Sequence, residues 1–202
     1  ARWRSSTPTA TVESAVAEKG DTFSVNVRLD NNPGIVSFKA ALDYDTDVLE
    51  VVGAEGKDFA GVEFGPMTAD PFVINWASPL SADVTTDGVL AAVTFRVKNG
   101  VTADETVIAL SYNPEDVFDT NLDNVSFDTV DGTITLTCET HNFGAYESIS
   151  DTHHKHVCIA CCEEETAEHG YANACDTSCD DCGYVREVGD HTYDDVCDTD
   201  CN

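Results

Sequence analysis

The stretch from Ile35 to Val52, IVSFKAALDYDTDVLEVV, decides the fold of this chain. Its first half alternates between two faces, one formed by Val36, Phe38, Ala40, Leu42 and Tyr44 and the other by Ser37, Lys39, Ala41 and Asp43. A two-residue period over this length predicts a half-buried β-strand rather than a helix. Asp45 and Asp47 then favour a turn, because short Asp side chains bond back to nearby backbone. We expect a second strand from Val48 to Val52.

The segments on either side repeat this pattern. Apolar and polar residues alternate over 22–29, 89–97 and 108–112, and shorter strands are expected at 9–16, 72–76 and 133–136. Turn signals such as Asp87-Gly88, Asn99-Gly100 and Asp131-Gly132 separate them. Short strands at regular spacing, without a helical period, predict a mainly β fold. We expect an antiparallel jelly-roll β-sandwich of about nine strands.

Composition divides the chain and excludes several partners. Ten Lys and Arg against 38 Asp and Glu give a formal charge of −28, which disfavours nucleic acid and anionic membranes. No apolar run is long enough for membrane insertion. The chain does not begin with Met, so we expect that any targeting segment has been removed. All nine Cys lie at 138 or later, which predicts a lead-in (1–8), a sandwich (9–137) and a Cys/His-rich region (138–202).

The sandwich region resembles the cohesin family, the jelly-roll modules of bacterial scaffolding and cell-surface proteins. The resemblance covers about 9–137 and rests on four motifs: Pro33-Gly34, Leu42-Asp43-Tyr44-Asp45, Val48-Leu49-Glu50-Val51 and the closing Phe127…Asp131-Gly132-Thr133-Ile134 run. It implies a nine-stranded jelly roll that binds a dockerin-type protein on one sheet face. The partner-binding residues expected on that face are Ser37, Lys39, Ala41 and Asp43.

One position departs from the family pattern. Dockerin-binding cohesins of the best-known type carry an Asn and an Asp two residues apart on this strand, where this chain has Ser37 and Lys39. Lysine donates hydrogen bonds and cannot accept those that a carboxylate accepts. The fold is therefore expected with a changed partner, or with assembly of another kind, such as association of copies through the extended segment 1–11.

Catalysis and ligand binding in the sandwich have weaker support. No Cys or His is present there to act as nucleophile or base, and the acidic pairs Asp43/Asp45 and Glu115/Asp116 are typical of turns. The run Asp119, Asn121, Asp123 and Asn124 offers oxygen ligands for calcium, but it lacks the Gly and the distant Glu of an EF-hand loop. We expect a solvated loop, with calcium as a possible ligand.

The remaining region contains an internal repeat. His169-Gly-Tyr171, Cys175 and Cys179 recur 22 residues later as His191-Thr-Tyr193, Cys197 and Cys201. The last copy stops just before a final Cys-Gly, so we expect either a piece of a longer protein or a chain that is processed at this point. The region resembles tandem Cys/His repeats on surface proteins of anaerobic Firmicutes. That resemblance implies a secreted or cell-surface location in a bacterium, an anaerobe.

Few large aliphatic residues are available here, so the region must be stapled by metal or disulfides. Two C-x-x-C knuckles, at 158–161 and 179–182, suit a tetrahedral metal. The expected structural zinc sets are Cys138, His141, Cys158 and Cys161, and then His169, Cys179, Cys182 and His191. The alternative is disulfides, or mixed use in which Cys162, Cys175, Cys197 and Cys201 form bridges.

The sequence therefore favours a non-catalytic extracellular assembly module that binds a dockerin-type partner or copies of itself, on a cell surface, scaffold or fibre. The alternative is a carbohydrate-binding module of a larger secreted glycan-degrading protein. That function needs exposed aromatic side chains, and Trp76, Tyr44 and Tyr112 are the candidates. An enzyme would need a general base that the sandwich lacks.

Overall fold

The computed structural model describes residues 7–173 and 176–187. The chain divides into two compact units, Ala1–Glu139 and Thr140–Asn202. This division lies two residues after the one expected from composition.

The first unit is built from strands. In chain order they are β1 (Thr9–Val12), β2 (Ala15–Glu18), β3 (Thr22–Asp30), β4 (Ser37–Tyr44), β5 (Leu49–Gly56), β6 (Glu63–Phe64), β7 (Phe72–Ala77), β8 (Gly88–Val97), β9 (Glu105–Tyr112), β10 (Asp128–Val130) and β11 (Gly132–Thr137). A single 3₁₀ turn, Pro114–Asp116, follows β9. Eleven strands form in the described part of this unit where about nine were expected, because the N-terminal strand divides and the short strands β6 and β10 have no clear sequence pattern.

The strands form two sheets that enclose one core. One sheet has the order β10-β1-β3-β8-β5 and the other β2-β11-β9-β4-β7-β6. Buried side chains from both sheets make a single cluster, and its largest members include Trp76, Phe38, Phe72 and Phe95. The β-sandwich is confirmed. Two pairings, β1 with β10 and β2 with β11, are parallel, whereas an antiparallel arrangement was predicted throughout.

The central strand β4 follows the alternation of its sequence. Phe38, Ala40 and Leu42 are buried, and Ser37, Lys39, Ala41 and Asp43 lie on the outer face of the six-stranded sheet. At the corner, Oδ1 of Asp45 accepts a hydrogen bond from the Asp47 amide (2.9 Å), and its carbonyl accepts from the Leu49 amide (2.8 Å). The predicted strand and turn are therefore confirmed.

The segment 9–16, where strand structure was expected, contributes to two strands, because the chain changes sheets within it. β1 lies between β3 and β10, and β2 pairs with β11 in the other sheet. The crossing is held by the Glu13 amide, which donates to the Asn26 carbonyl (2.9 Å), and by Ser14 Oγ, which accepts from the Thr133 amide (3.0 Å). Residues 9–12 are thus already paired within the chain, so they are not an available donor strand. Residues 1–6 lie outside the described residues.

The second unit contains a small antiparallel sheet of three strands in the order β12 (Glu147–Ser148), β13 (His153–Val157) and β14 (Glu164–Glu168). Among its described residues, the buried ones are Cys158, Ala160, Cys179 and His154. A unit with so small an apolar interior cannot be stabilised by hydrophobic burial alone. No helix in the described parts of either unit is long and apolar enough to cross a membrane.

Candidate partner-binding face and candidate metal centres

Two groups of Cys and His side chains converge in the Cys/His-rich region. One consists of Cys138, His141, Cys158 and Cys161, and the other of His154, His169, Cys179 and Cys182. Within each group the four potential ligand atoms lie within 4.8 Å of one another. We call them cluster 1 and cluster 2. The side chains expected in the first set are brought together, and three of the four expected in the second set lie in cluster 2.

The fourth donor of cluster 2 differs from the one expected. His191 lies outside the described residues, and the structure places His154 beside the other three donors instead. His154 is only 1% exposed. No local spacing singles it out, because it stands on β13, well before the C-x-x-C knuckle. The burial of a histidine on a strand is what marks His154 as a donor, and this burial is visible only in the folded structure.

Distances within the clusters match tetrahedral coordination. Nδ1 of His141 lies 3.5 Å from Sγ of Cys161, and Nδ1 of His154 lies 3.5 Å from Sγ of Cys179. Nδ1 of His169 lies 3.4 Å from Sγ of Cys182. Metal–sulfur and metal–nitrogen bonds of about 2.3 and 2.1 Å at a tetrahedral angle place the two ligand atoms about 3.6 Å apart. Both donor sets therefore have the size of a zinc site.

The second nitrogen of each ring faces an oxygen. Nε2 of His141 lies 3.3 Å from Glu163, and Nε2 of His154 lies 4.0 Å from Asp181. Nε2 of His169 lies 3.0 Å from the Ser150 carbonyl. Metal-bound histidines are commonly oriented by such an acceptor on the far nitrogen. The same nitrogen, Nδ1, faces sulfur in all three rings, so each ring points one nitrogen into its cluster.

The two knuckles have the same backbone structure. The Cys158 amide donates to the Glu163 carbonyl (2.8 Å), and the Cys162 amide donates to the Cys158 carbonyl (2.9 Å). In the second knuckle, the Cys179 amide donates to the Tyr184 carbonyl (2.8 Å), and the Gly183 amide donates to the Cys179 carbonyl (2.9 Å). Cys162 and Gly183 have φ values of 62° and 72°. Cys162 therefore occupies the same turn position in the first knuckle that Gly183 occupies in the second, and it is not at a ligand position.

The knuckles also stabilise thiolates. Burial alone would raise the pKa of the Cys158 thiol, but the backbone N–H groups of Cys161 and Ala160 and the neighbouring histidine outweigh it, and the pKa falls to about 6. Burial opposes the same change at Cys179, where the two equivalent backbone N–H groups and a histidine again lower the pKa to about 6. Because the thiolate is the metal ligand, this geometry favours metal binding.

The acidic loop after the 3₁₀ turn is organised by its own backbone. Oδ1 of Asp119 accepts hydrogen bonds from the amides of Asn121 (2.8 Å) and Asp123 (3.0 Å), and Oδ2 accepts from the Asn121 side chain. The Asp123 amide is the main cause of the lowered pKa of Asp119, which burial opposes. The groups that could hold a metal among the described residues are clusters 1 and 2, so calcium gains no support from this loop.

The outer face of the six-stranded sheet carries small, mostly neutral side chains. Ala41 of β4 lies between Val73 of β7 and Ser111 of β9, and Lys39 lies opposite Asn75. Val107, further along the same face, is 44% exposed. These small side chains leave room for a partner to lie against the strands.

The outer face of the other sheet is polar and internally paired. Its contacts are Arg28 to Asp30 (2.9 Å), Arg96 to Glu50 (3.1 Å), Asn26 to Glu13 (2.8 Å) and Ser24 to Thr94 (2.8 Å). Because these groups already bond to one another, they are less available to bond a partner. The contrast makes the six-stranded sheet the better candidate for a binding face.

Two depressions flank β4 on this face. One, of about 370 Å³, is lined by Ser37 together with Phe118 and Leu122, and Leu122 is 75% exposed. The other, of about 210 Å³, is lined by Lys39 and Ala41 among others. Three of the four residues expected to bind a partner thus line a depression, and Asp43 is exposed on the same strand.

Residues 8–136 match the family model of the cohesin domain. The chain belongs to the cohesin family. Cohesin domains are non-catalytic modules of protein–protein assembly. The family match covers the first unit of this cohesin and ends before its first cysteine.

One curated relative is similar to part of this chain. An alignment 146 residues long, which covers 64% of this chain, is 30% identical to Cellulose-binding protein A of Clostridium cellulovorans. The chain spans only 7% of the length of that protein. The likeness is therefore to one small part of a much larger polypeptide.

Solved structures show the fold. The OlpA cohesin in complex with Doc918, from Clostridium thermocellum, has a TM-score of 0.58 at 19% identity, with 65% of this chain and 100% of that chain covered. A non-cellulosomal cohesin from the archaeon Archaeoglobus fulgidus has a TM-score of 0.56 at 23% identity, with coverage of 66% and 94%. At these identities the similarity establishes the cohesin fold and no more.

The aromatic residues considered for sugar binding lie inside this cohesin or at its rim. Trp76 is 1% exposed, packs edge-on against Phe59 and donates from Nε1 to the Ala60 carbonyl (3.0 Å). The Tyr112 hydroxyl is hydrogen-bonded to the backbone. Every aromatic side chain of the described residues is buried or half-buried. The carbohydrate-binding alternative therefore lacks its aromatic platform in these residues.

Proposed function

We propose that residues 8–136 bind a dockerin-type protein through the outer face of the six-stranded sheet. The chain would then be a non-catalytic assembly module of a secreted or cell-surface scaffold in an anaerobic bacterium. Cohesin membership is the observation that carries this proposal. The contrast between the paired polar face of one sheet and the small-residue face of the other supports the choice of surface.

The side chains of β4 define what the partner must supply. Lys39 is exposed and donates hydrogen bonds only, so a partner seated on β4 must offer a carboxylate or carbonyl oxygen there. Leu122 at the rim of the larger depression suits an apolar side chain of the partner. The chain as a whole has a net charge of −28, so its electrostatic attraction should raise the association rate of a partner whose surface is basic. This chain therefore selects a dockerin whose contact surface differs from that of partners of Asn/Asp-bearing cohesins.

The test is a binding assay with purified dockerin modules, including Doc918, measured by isothermal titration calorimetry. Ala41→Arg places a long charged side chain at the centre of the face and should weaken binding by about 30-fold or more, the effect of one hot-spot residue. Asn26→Arg, on the paired outer face of the other sheet, is the matched control and should leave binding unchanged. Equal effects of both substitutions would contradict the choice of face, and failure of every dockerin to bind would contradict the partner class.

We also propose that clusters 1 and 2 hold structural zinc ions. Each offers four N and S donors, so no position remains open for catalysis. Ligand–ligand distances of 3.4–3.5 Å and the oxygens close to the far ring nitrogens of His141 and His169 support the assignment. Cys161, Cys179 and Cys182 carry free thiols, which favours metal over disulfides.

Metal content measured by plasma mass spectrometry tests this assignment. Cys161→Ser and Cys182→Ser should each reduce the bound zinc relative to the wild type. Cys162→Ser is the matched control, because Cys162 is exposed and occupies the turn position, and it should retain the full content. Zinc-free protein with disulfides at these cysteines, detected in non-reduced peptide maps, would refute the proposal.

A further inference from the structure

The ligands of the two clusters alternate along the chain. Cluster 1 takes its first donors from Cys138 and His141, cluster 2 then takes His154, and cluster 1 resumes with Cys158 and Cys161. Cluster 2 is completed after that by His169, Cys179 and Cys182. Neither cluster is therefore a separate segment that could fold before the other. Each closes a loop that contains part of its neighbour.

One hairpin connects them. β13 and β14 pair from His153 with Glu168 to Val157 with Glu164. The turn of the hairpin is the first knuckle, so Cys158 and Cys161 of cluster 1 lie at that end. His154, near the start of β13, and His169, directly after β14, belong to cluster 2 at the open end. A metal at each end would hold both ends of the same two strands.

A column of aromatic rings joins the clusters on the face of this sheet. His141 stacks on Phe143 (ring centroids 5.4 Å apart) and Phe143 stacks on His156 (4.0 Å). His156 stacks in turn on Tyr146 (4.2 Å), and Tyr146 contacts His154 (4.3 Å). The two end rings are donors of cluster 1 and cluster 2. Fixing one end ring in a metal site therefore restricts the position of the other through packed contacts.

The hairpin has little apolar burial to stabilise it. All residues of β14 are exposed, and three of its five residues are Glu. Of the four buried residues in the described part of the second unit, Cys158, Cys179 and His154 are cluster donors. Because the buried interior consists mainly of ligands, ordering the chain around one metal supplies most of the structure that the second metal needs.

We infer that clusters 1 and 2 form one interleaved two-metal unit that binds its metals cooperatively. This inference rests on the zinc proposal and adds that binding at one cluster raises the affinity of the other. Cys/His segments that each fold around their own metal would show no such coupling.

The experiment is a Co²⁺ titration of the reduced, metal-free full chain. It is followed by the thiolate-to-cobalt charge-transfer bands and by native mass spectrometry. A variant carrying both Cys161→Ser and Cys182→Ser gives the background from the rest of the chain. After this background is subtracted, wild-type protein with one bound metal should be less abundant than two independent sites would produce. Cys182→Ser alone should lower the Co²⁺ affinity of cluster 1, to which it contributes no ligand, by about 10-fold.

A second variant tests the physical connection. Tyr146→Ala retains all eight donors but interrupts the ring column, so it should bind the same number of metals with weaker coupling. Ile159→Ala, a 49% exposed position in the first knuckle, is its control. Unchanged affinity of cluster 1 in Cys182→Ser would overturn the inference while leaving the zinc proposal intact. Absence of any charge-transfer band in the wild type would overturn both.

Discussion

The substitution Tyr112→Phe should destabilise the cohesin unit strongly although it removes a single oxygen atom. The Tyr112 hydroxyl donates to the Phe127 carbonyl (2.8 Å) and accepts from the Phe127 amide (2.8 Å). Both backbone groups belong to a residue that is 5% exposed. The substitution therefore leaves a buried donor and a buried acceptor without this partner.

The magnitude follows from the two bonds. Each contributes about 0.5–1.5 kcal/mol, and unsatisfied buried groups add desolvation, so we expect a loss of about 2–4 kcal/mol in the free energy of unfolding. For a domain of this size the melting temperature should fall by about 10 °C. The urea midpoint should fall by about 1–2 M at unchanged slope.

The assay is urea unfolding followed by tryptophan fluorescence, since Trp76 is buried in the core of the sandwich. Tyr44→Phe is the matched control. The Tyr44 hydroxyl is 3.4 Å from the Ala69 carbonyl, which is longer than a typical O–H···O bond, so its loss should change stability by no more than about 0.5 kcal/mol. Equal stabilities of the two variants would refute the bridging role of Tyr112. A stable Tyr112→Phe variant with impaired cellulose retention would instead favour a sugar-binding surface.

Three further outcomes are expected. Trp76→Phe should cost about 1–3 kcal/mol in urea unfolding followed by circular dichroism, because it removes ring volume and the donor to the Ala60 carbonyl, and it should not alter retention on cellulose. Gly132→Ala should cost about 1–3 kcal/mol in the same assay, because its Cβ would lie 2.7 Å from a side-chain carbon of β1. Gly53→Ala, whose nearest contact is 3.7 Å, should be close to neutral. Because the pKa of Asp119 is lowered, its ionised carboxylate stabilises the loop at pH values above the ordinary carboxyl pKa. This stabilisation is lost as the pH falls through the lowered pKa. An acid-dependent shift of the Asp123 amide in NMR spectra should therefore disappear in Asp119→Asn.

The sequence determined the elements whose cause is local. The alternation of Phe38, Ala40 and Leu42 with polar residues encodes a half-buried strand, because side chains of a strand point to opposite faces in turn. The Asp45 turn depends on contacts within four residues. The C-x-x-C spacing likewise fixes the knuckles, since both thiols project from one tight turn.

The tertiary structure alone decided features that depend on distant residues. The division of 9–16 between two sheets follows from pairing with 26 and 133, which no local period records. Trp76 is a core residue because Phe59 and Ala60 cover it from a different segment. His154 joins cluster 2 because the hairpin brings it to donors at 169, 179 and 182. The pattern of a strand gives the face of each residue, but only the folded chain determines what lies opposite that face.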